Sequence, residues 1–172
     1  PYKKDIDLKK LNNNDLVDNL DDILKQDLSK RVNSNFPVSL FFSGGLDSSL
    51  ILEYLNQLNL DNISLVTIRS KSKETQNESE YFFQDLLLSK NRDRPVYINY
   101  YEDYNIKEEF TKFVDKIDIP QTDTATFPLY LLSKFVKSHN IRVGLTGDGS
   151  DELFGGYQKF NYLQLINKLP FR

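Results

Sequence analysis

The chain has 172 residues, of which 39% are hydrophobic and 13% aromatic, and its formal net charge at pH 7 is −3. These values describe one ordinary domain with enough apolar side chains to form a core. The acidic balance argues against a nucleic-acid partner, and the lack of cysteine excludes disulfides, a zinc–thiolate cluster and a cysteine nucleophile. No apolar run reaches membrane-spanning length and no signal peptide is visible, so we expect a cytoplasmic protein with no membrane partner.

The N-terminal part of the chain is predicted to hold a linker and one helix. Residues 1–14 are polar and charged, which predicts the linker. From Asp15, which we interpret as the N-cap, apolar residues recur at helical spacing. They are Leu16, Leu20, Ile23, Leu24 and Leu28.

Strand and helix patterns alternate through the rest of the chain. Apolar runs predict strands at residues 38–42, 63–68, 95–100 and 141–145. Helical spacing predicts helices at 47–58, at 78–89 and near 106–114, and one from Pro128 to about residue 139. The apolar face of the 78–89 helix is Phe82, Phe83, Leu86 and Leu87. This alternation implies an α/β fold with a mostly parallel sheet and right-handed crossovers.

The domain is assigned to residues 15–172. The chain begins at Pro1 and contains no methionine, so we expect it to be part of a longer protein. Helical spacing in the apolar tail from Tyr162 to Leu169 indicates a helix separated from its packing partner, so the domain is expected to be incomplete at its C-terminal end.

The most informative segment lies between the first predicted strand and the helix after it. It consists of Ser43, Gly44, Gly45, Leu46, Asp47, Ser48 and Ser49. Two glycines let the backbone turn sharply and approach a ligand, and the following helix directs free N–H groups and its positive dipole end at the loop. This arrangement predicts a phosphate cradle. Because a carboxylate repels phosphate, Asp47 indicates a divalent cation that bridges phosphate oxygens.

A second motif, residues 144–157, follows the fourth predicted strand and combines glycines with acidic residues. Such residues at the carboxyl end of a strand suit a ligand site at the edge of an α/β sheet. The Walker loop and the dinucleotide fingerprint are both absent, since no lysine follows Gly45 and no G-x-G-x-x-G occurs. For residues 43–49, the simpler alternative to a phosphate loop is a Ser/Gly turn with a helix-capping aspartate.

Together the two motifs resemble those of the asparagine synthetase family. Residues 43–49 are similar to the S-G-G-x-D-S pyrophosphate loop of the ATP-pyrophosphatases, and residues 147–157 to the family's G-E/D-G-x-D-E-L-F-G-G-Y signature. The likeness includes residues 32–37 and 127–133 and covers most of the chain from about Asp15 to Tyr157. It implies a doubly wound sheet with helices on both faces, adenine nucleotide alpha hydrolase-like, with strand order 3-2-1-4.

The resemblance also implies a reaction and its cofactors. ATP and Mg²⁺ would serve to adenylate a carboxylate, aspartate or a similar one, with release of pyrophosphate, and ammonia would then form the amide. Glutamine-using relatives carry their catalytic cysteine on a separate domain. We therefore expect a glutaminase domain in the full-length protein or in trans.

Residue roles follow from the same resemblance. The pyrophosphate residues are Ser43, Gly44, Gly45, Asp47, Ser48 and Ser49. The metal ligands are Asp47 and Asp151, which would share one crevice. The adenine residues are Phe41, Thr67, Ile68 and Gly147. The catalytic residues are Asp148, which would manage the ammonium proton, and Tyr157.

Each role has a structural alternative. Asp47 and Asp151 could be N-caps, and Asp148 could belong to a simple Asp-Gly turn. Ile68 could be ordinary core, and Tyr157 a packed aromatic. The only histidine, His139, is interpreted as structural, and Lys71 and Lys73 as solvated loop residues.

One departure from the family pattern concerns the acceptor. Aspartate-using members often carry an arginine among the threonines of the segment that matches residues 121–126, where it would pair with the substrate α-carboxylate. No arginine lies between Arg94 and Arg142. Amide formation is therefore better supported than aspartate as the acceptor, and a non-aspartate acceptor such as a sugar carboxylate is the first alternative. Two others are RNA sulfuration, which usually needs the cysteines and basic surface that are missing here, and a nucleotide-binding domain without turnover.

Overall fold

A computed structural model of the chain describes residues 12–72, 78–120, 123–157, 159, 160 and 162. Its first helix, α1, spans Asn13–Val32. The Asn12 side chain accepts the N–H of Asp15 at 2.9 Å, and the Asp15 carboxylate accepts the N–H of Asn12 at 3.3 Å. This reciprocal capping box makes Asn12 the N-cap, so the assignment of the cap to Asp15 was wrong. Most of the predicted linker, residues 1–11, lies outside the described residues.

Four parallel strands form one sheet in the order β3-β2-β1-β4. The strands are β1 (Val38–Phe41), β2 (Ser64–Arg69), β3 (Val96–Tyr100) and β4 (Val143–Leu145). In the register of the central strand, Leu40 is paired with Leu65 on one side and with Leu145 on the other. The predicted parallel sheet and its strand order are confirmed.

The remaining helices follow the strands as crossovers and terminal elements. They are α2 (Leu46–Gln57), α3 (Glu78–Lys90), α4 (Ile106–Val114), α5 (Thr126–Ser138) and α6 (Ser150–Phe154), with a 3₁₀ turn at Tyr101–Asp103. The 3₁₀ turn was not predicted, because three residues are too few to show a period. In the described parts of the chain no helix is both long and apolar enough to cross a membrane.

Two apolar clusters cover the two faces of the sheet. The larger one packs α1, α2 and α3 on one face, and its buried members include Leu28, Leu40, Phe42, Leu52, Leu55 and Leu65. The other packs α5 on the opposite face through Val66, Leu132, Val136 and Ile141. Residue 66 faces one way and residue 65 the other, as the alternation of side chains along a strand requires. The doubly wound arrangement is therefore present.

Two helices are oriented differently from the prediction. On α1, Leu28 is buried but Ile23 is 54% exposed, so only the C-terminal half packs on the core. On α3, Phe82 is 63% exposed and Phe83 is also exposed, whereas Gln84 is 2% exposed. The predicted face of α3 was wrong in these positions, because a buried glutamine carries no hydrophobic signal.

Candidate functional site

The carboxyl ends of β1, β2 and β4 open onto a cleft of about 500 Å³. It brings together nearly all of the residues that the two motifs predicted. Those lining it are Phe41, Ser43, Gly45, Asp47, Ser48, Thr67, Ile68, Gly147, Asp148, Asp151 and Tyr157. Gly44 and Ser49 do not line it. The strand order explains this convergence, because β1 and β4 are neighbours although more than a hundred residues separate them.

Internal hydrogen bonds fix the loop between β1 and α2. The Ser43 hydroxyl accepts the N–H of Gly45 at 3.2 Å and lies 3.1 Å from the Ser48 hydroxyl, which donates to the Gly45 carbonyl at 3.2 Å. The serines thus shape the loop. Because both hydroxyls are engaged within the loop, a phosphate would bind to backbone N–H groups. The Ser43 and Ser48 hydroxyls could bind it only after their side chains rotate out of these bonds.

The first turn of α2 supplies those N–H groups. Its N-cap is Gly45, and no side chain caps the helix there. The first N–H groups of a helix have no partner within the helix, so this end is suited to an anion. Asp47 lies in this first turn. It is not the N-cap, so the capping alternative does not account for its position.

The loop after β4 packs directly against this helix end. A Cβ atom added to Gly147 would lie 2.7 Å from the Cβ of Asp47, closer than real Cβ contacts. The Gly147 carbonyl accepts from the Ser150 hydroxyl at 2.6 Å, which ties the loop to the start of α6. Glycine at position 147 therefore permits the close approach of the two motifs.

The glycines at the end of α6 wrap around Asp151. Its backbone carbonyl accepts the N–H groups of Gly155 and Gly156 at 2.9 and 3.0 Å. A Cβ at Gly156 would stand 1.8 Å from the Asp151 Oδ1 atom, so a side chain there would displace the Asp151 carboxylate. Gly149, in the left-handed region at φ 91°, is the N-cap of α6. Asp151 is therefore not the N-cap of α6 either, and it is one of the residues that line the cleft.

The donor chemistry of the cleft suits Mg²⁺ that is shared with phosphate. Asp47 and Asp151 offer hard oxygen ligands on the same cleft. Among the residues that the structure describes, no group of three or more histidine, cysteine or acidic side chains could hold a metal by itself. Mg²⁺ is usually held by one or two carboxylates together with substrate phosphates and water, so the pair fits the cation in the presence of a nucleotide.

Tyr157 and Glu152 form a hydrogen-bonded pair at the cleft edge. The tyrosine hydroxyl donates to Glu152 Oε1 at 2.6 Å. This bond raises the pKa of Tyr157 to about 12 and lowers the pKa of the Glu152 carboxyl below its usual range. Lys159 lies 4.4 Å above the Tyr157 ring. Tyr157 is therefore protonated at physiological pH, with its hydroxyl hydrogen on Glu152, and Glu152 is a cleft residue that was not among the predicted site residues.

Gln84 is a second cleft residue that was not among the predicted site residues. Its Nε2 atom donates to the Phe42 carbonyl at 3.1 Å and to the Thr67 hydroxyl at 2.6 Å, and its Oε1 accepts from Arg69. It also backs the phosphate loop, since a Cβ on Gly44 would lie 3.1 Å from the Gln84 Cβ. One side chain thus joins the end of β1, the end of β2 and the loop. Its only sequence signal is a polar residue within a helix.

The wall contributed by the start of α5 is apolar apart from one acid. Pro128, Leu129 and Leu132 line the cleft with Asp123, whose carboxylate accepts the Ala125 N–H at 2.9 Å. Of the segment predicted to hold the acceptor, residues 121 and 122 lie outside the described residues.

Among the described lining residues there are five carboxylates and no lysine, arginine or histidine. The acids are Asp47, Asp123, Asp148, Asp151 and Glu152.

Lys71 and His139 do not line the cleft. Lys71 pairs with Asp103 at 2.6 Å beside the 3₁₀ turn, while Lys73 lies outside the described residues. The neighbouring Glu102 accepts from the Ser70 hydroxyl at 2.6 Å and from the Lys71 N–H at 2.8 Å, and these bonds lower its pKa to about 2. His139 packs against the rings of Phe135 and Tyr97. The chain just after β2 is thus held to the 3₁₀ turn by the bonds of Ser70 and Lys71. The ring contacts of His139 agree with its structural interpretation.

Comparison with known sequences identifies one family. The profile described as asparagine synthase matches residues 19–172. The chain is 32% identical over 160 residues to asparagine synthetase [glutamine-hydrolyzing] 1 of Bacillus subtilis, a match that covers 91% of this chain and 23% of that protein. The chain therefore spans about a quarter of the length of this relative.

Solved structures show the same fold at low sequence identity. The NH3-dependent NAD synthetase of Campylobacter jejuni matches with a TM-score of 0.51 and 15% identity, over 86% of this chain and 61% of that one. The U34-tRNA thiolase of Methanococcus maripaludis matches with a TM-score of 0.53 and 15% identity, over 88% of this chain and 54% of that one. At this identity the likeness concerns the arrangement of strands and helices.

Proposed function

This chain belongs to the asparagine synthase family, and we propose that it carries the ATP-dependent synthetase site of an AMP-forming amide ligase. One observation carries the proposal: the phosphate-type loop and the acidic glycine motif meet at Asp47 and Gly147 in a single cleft. The reaction would adenylate a carboxylate, release pyrophosphate and transfer the acyl group to ammonia.

The phosphate loop would hold the departing pyrophosphate. Attack at the α-phosphate places negative charge on the leaving group, and preorganised donors stabilise such charge. The first-turn N–H groups of α2 serve this role, with the Ser43 and Ser48 hydroxyls able to turn towards the ligand. Gly44 and Ser49 would act through loop geometry, since they do not line the cleft.

Asp47 and Asp151 would hold Mg²⁺ against the phosphate oxygens. The bound cation would neutralise the charge that develops on pyrophosphate. The contribution of this chain is to fix Asp151 through the Gly155 and Gly156 bonds and to place Asp47 in the first turn of α2.

Asp148 would serve the ammonia step. The nucleophile must lose a proton as it attacks the acyl-adenylate, and a carboxylate within reach can accept it. Asp148 is exposed on the cleft wall between two glycines. Tyr157 would donate its one hydroxyl hydrogen to a phosphate oxygen in place of Glu152, to which that hydrogen is donated in this structure.

The adenine base would lie among Phe41, Ile68 and the backbone near Gly147, where the cleft wall is apolar. Phe41 and Ile68 also pack against the apolar cluster beneath the sheet, so the structural role of Ile68 and a role in binding are compatible.

The identity of the acceptor is the least constrained part of the proposal. Aspartate is the acceptor that the family name suggests, and the relative from Bacillus subtilis is named as glutamine-hydrolyzing. The described cleft wall offers no cation for a second carboxylate, which favours a non-aspartate acceptor as the runner-up. We further propose that a glutaminase domain, fused or in trans, supplies the ammonia, and that the enzyme works in the cytoplasm.

ATP–pyrophosphate exchange on the full-length protein tests this function. Exchange is expected only with Mg²⁺ and with one member of a panel of carboxylates that includes aspartate and sugar acids. Binding of ATP without exchange for any carboxylate would favour a nucleotide-binding domain without turnover. Thiolation of RNA would instead support the sulfuration alternative, which the lack of cysteine in this chain does not favour.

A further inference from the structure

Gln84 lies where the first two strands of the sheet separate. The paired register of β1 and β2 ends at Phe41 and Val66, whereas β2 continues beside β3 as far as Arg69. One residue further on, the Phe42 N–H donates to the Val66 carbonyl at 2.8 Å. The Phe42 carbonyl, directly before the phosphate loop, accepts from Gln84 Nε2 at 3.1 Å. A side chain of α3 therefore holds the end of β1 at the point where the two strands part.

The partners of the Gln84 amide determine its orientation and use both of its hydrogens. Arginine can only donate, so the atom that faces Arg69 Nε is the amide oxygen. A backbone carbonyl can only accept, so the atom that faces the Phe42 oxygen is the amide nitrogen. The second hydrogen of this nitrogen is donated to Thr67 Oγ1 at 2.6 Å. No amide hydrogen is left for a ligand, so Gln84 would act on a bound ligand through its neighbours.

Arg69 fixes the other end of the amide. Its guanidinium lies 2.7 Å from the Asp85 carboxylate and 5.3 Å from the centre of the Tyr81 ring. Both of these partners belong to α3, the helix that carries Gln84. The Arg69 side chain is largely buried, so it cannot easily turn away from the amide oxygen. The amide is therefore anchored to β2 as firmly as it holds β1.

The phosphate loop also rests on Gln84. Gly44 has a φ of 82°, and a Cβ added to it would lie 3.1 Å from the Gln84 Cβ and 3.2 Å from the Gln84 backbone nitrogen. The turn of the loop therefore packs directly against α3. The next residue, Gly45, is the N-cap of α2. Gln84 thus supports the chain on both sides of Ser43, and the direction of the first N–H groups of α2 depends on this support.

We propose that Gln84 is a positioning residue of the pyrophosphate loop, whose amide holds the end of β1 so that the first N–H groups of α2 face the β- and γ-phosphates. The inference rests on the proposed function, since it requires ATP in this cleft. Donors stabilise the charge of a ligand best when their direction is fixed in advance. Loosening the end of β1 should therefore weaken ligands that carry the terminal phosphates and spare a ligand that lacks them.

Calorimetric titration of the full-length protein with Mg·ATP, magnesium pyrophosphate and AMP tests the proposal. Gln84→Met keeps the length of the side chain and its Cβ contact with Gly44 but removes the three hydrogen bonds. We expect ATP and pyrophosphate to bind about tenfold more weakly, the loss that corresponds to one hydrogen bond, and AMP to bind as before. The readout is the ratio of the ATP and AMP affinities, which a mere loss of folded protein does not change.

Two control variants separate positioning from stability. Gln57→Met makes the same substitution on the exposed side of α2, where Gln57 donates to Glu53 at 2.9 Å, and should change nothing. Asn56→Ala removes an acceptor of the buried Arg94 guanidinium, which also donates to the Ile63 carbonyl just before β2. It should lower the unfolding temperature and leave the affinity ratio unchanged, because this bond lies at the opposite ends of the strands.

The outcomes distinguish this inference from the proposed function. If the wild-type protein binds neither ATP nor pyrophosphate, the proposed function fails and the inference falls with it. If both bind and Gln84→Met keeps the wild-type ratio, or loses AMP as strongly as ATP, the proposed function stands and the inference alone is overturned. Should Gln84→Met fail to fold, Gln84→Glu decides by the same ratio, because it keeps the bond to Arg69 but turns an oxygen towards the Phe42 carbonyl.

Discussion

Gly147 approaches Asp47 so closely that a Cβ on the glycine would lie 2.7 Å from the Cβ of the aspartate. This contact joins the loop after β4 to the first turn of α2. The two motifs therefore share one cleft because the smallest residue stands where they meet. Any side chain at position 147 must push one of the two loops away.

Gly147→Ala is expected to weaken nucleotide binding and to destabilise the fold. The added methyl group meets a Cβ atom rather than the end of a flexible side chain, so the backbone must shift, at a cost of about 1–3 kcal/mol. Thermal unfolding and ATP titration on the full-length protein measure the two effects. The matched control is Gly149→Ala, where an added Cβ meets nothing within 4 Å and only left-handed strain is introduced. Equal losses of ATP affinity in both variants would contradict the steric argument.

Asp47→Ala is expected to abolish pyrophosphate release while leaving the fold intact. A carboxylate in a phosphate cradle is useful only with a cation, so its removal should lower turnover by at least about 100-fold. Pyrophosphate release at saturating Mg²⁺ is the measurement. Glu53→Ala, on the exposed side of the same helix, is the control and should retain activity. Near-normal turnover of Asp47→Ala would remove the metal role.

Asp148→Asn is expected to spare ATP binding and to cripple amide formation. The amide has nearly the same shape but cannot accept the ammonium proton at neutral pH. Nucleotide titration and a product assay separate the two steps, and Asp148→Glu should retain part of the activity because it keeps the carboxylate. Loss of ATP affinity with unchanged catalysis in the bound enzyme would refute the assignment.

The Glu152–Tyr157 bond predicts a distinctive titration. The folded pKa of Tyr157, about 12, lies above its ordinary value of 10, so the bond is intact below pH 10 and is lost as the pH rises through 12. In ¹³C-tyrosine NMR at about pH 11, Tyr157 should still be protonated, whereas in Glu152→Gln it should be largely ionised. Tyr157→Phe assigns the signal, and Glu53→Gln should leave it unchanged. A Tyr157 signal that titrates near pH 10 in the wild-type protein would show that the bond is absent in solution.

Much of the fold could be read from the sequence because its two central strands, β1 and β2, are buried on both faces. The predicted strand 38–42 and the observed Val38–Phe41 differ by one residue, since a largely apolar run bounded by Pro37 and Ser43 leaves little choice. The N-terminus of α1 was misplaced, because residues 12–15 are all good caps and only the reciprocal bond of Asn12 and Asp15 distinguishes them.

The residues of the cleft were predictable only where they belong to a sequence motif. Residues in a motif, such as Asp47 and Asp148, carry their own signal in the local pattern of glycines and acids. Gln84 carries none, because its importance comes from Thr67 and Arg69, which lie 17 and 15 residues away. Periodicity placed Phe82 and Phe83 inside, yet the buried polar network placed Gln84 there instead. Tertiary hydrogen bonding outweighed the hydrophobic pattern.

The shortness of β4 affects how the protein can be observed. β4 contributes three residues to the sheet, Val143–Leu145, and lies at its edge, where only β1 holds it. Opening this edge breaks few hydrogen bonds, so it can occur without global unfolding, and it would separate Gly147 from Asp47. A nucleotide that contacts both loops binds only the closed edge and must suppress this opening. Slowed amide hydrogen exchange at residues 143–145 would then report nucleotide occupancy directly, even in variants that no longer catalyse any reaction.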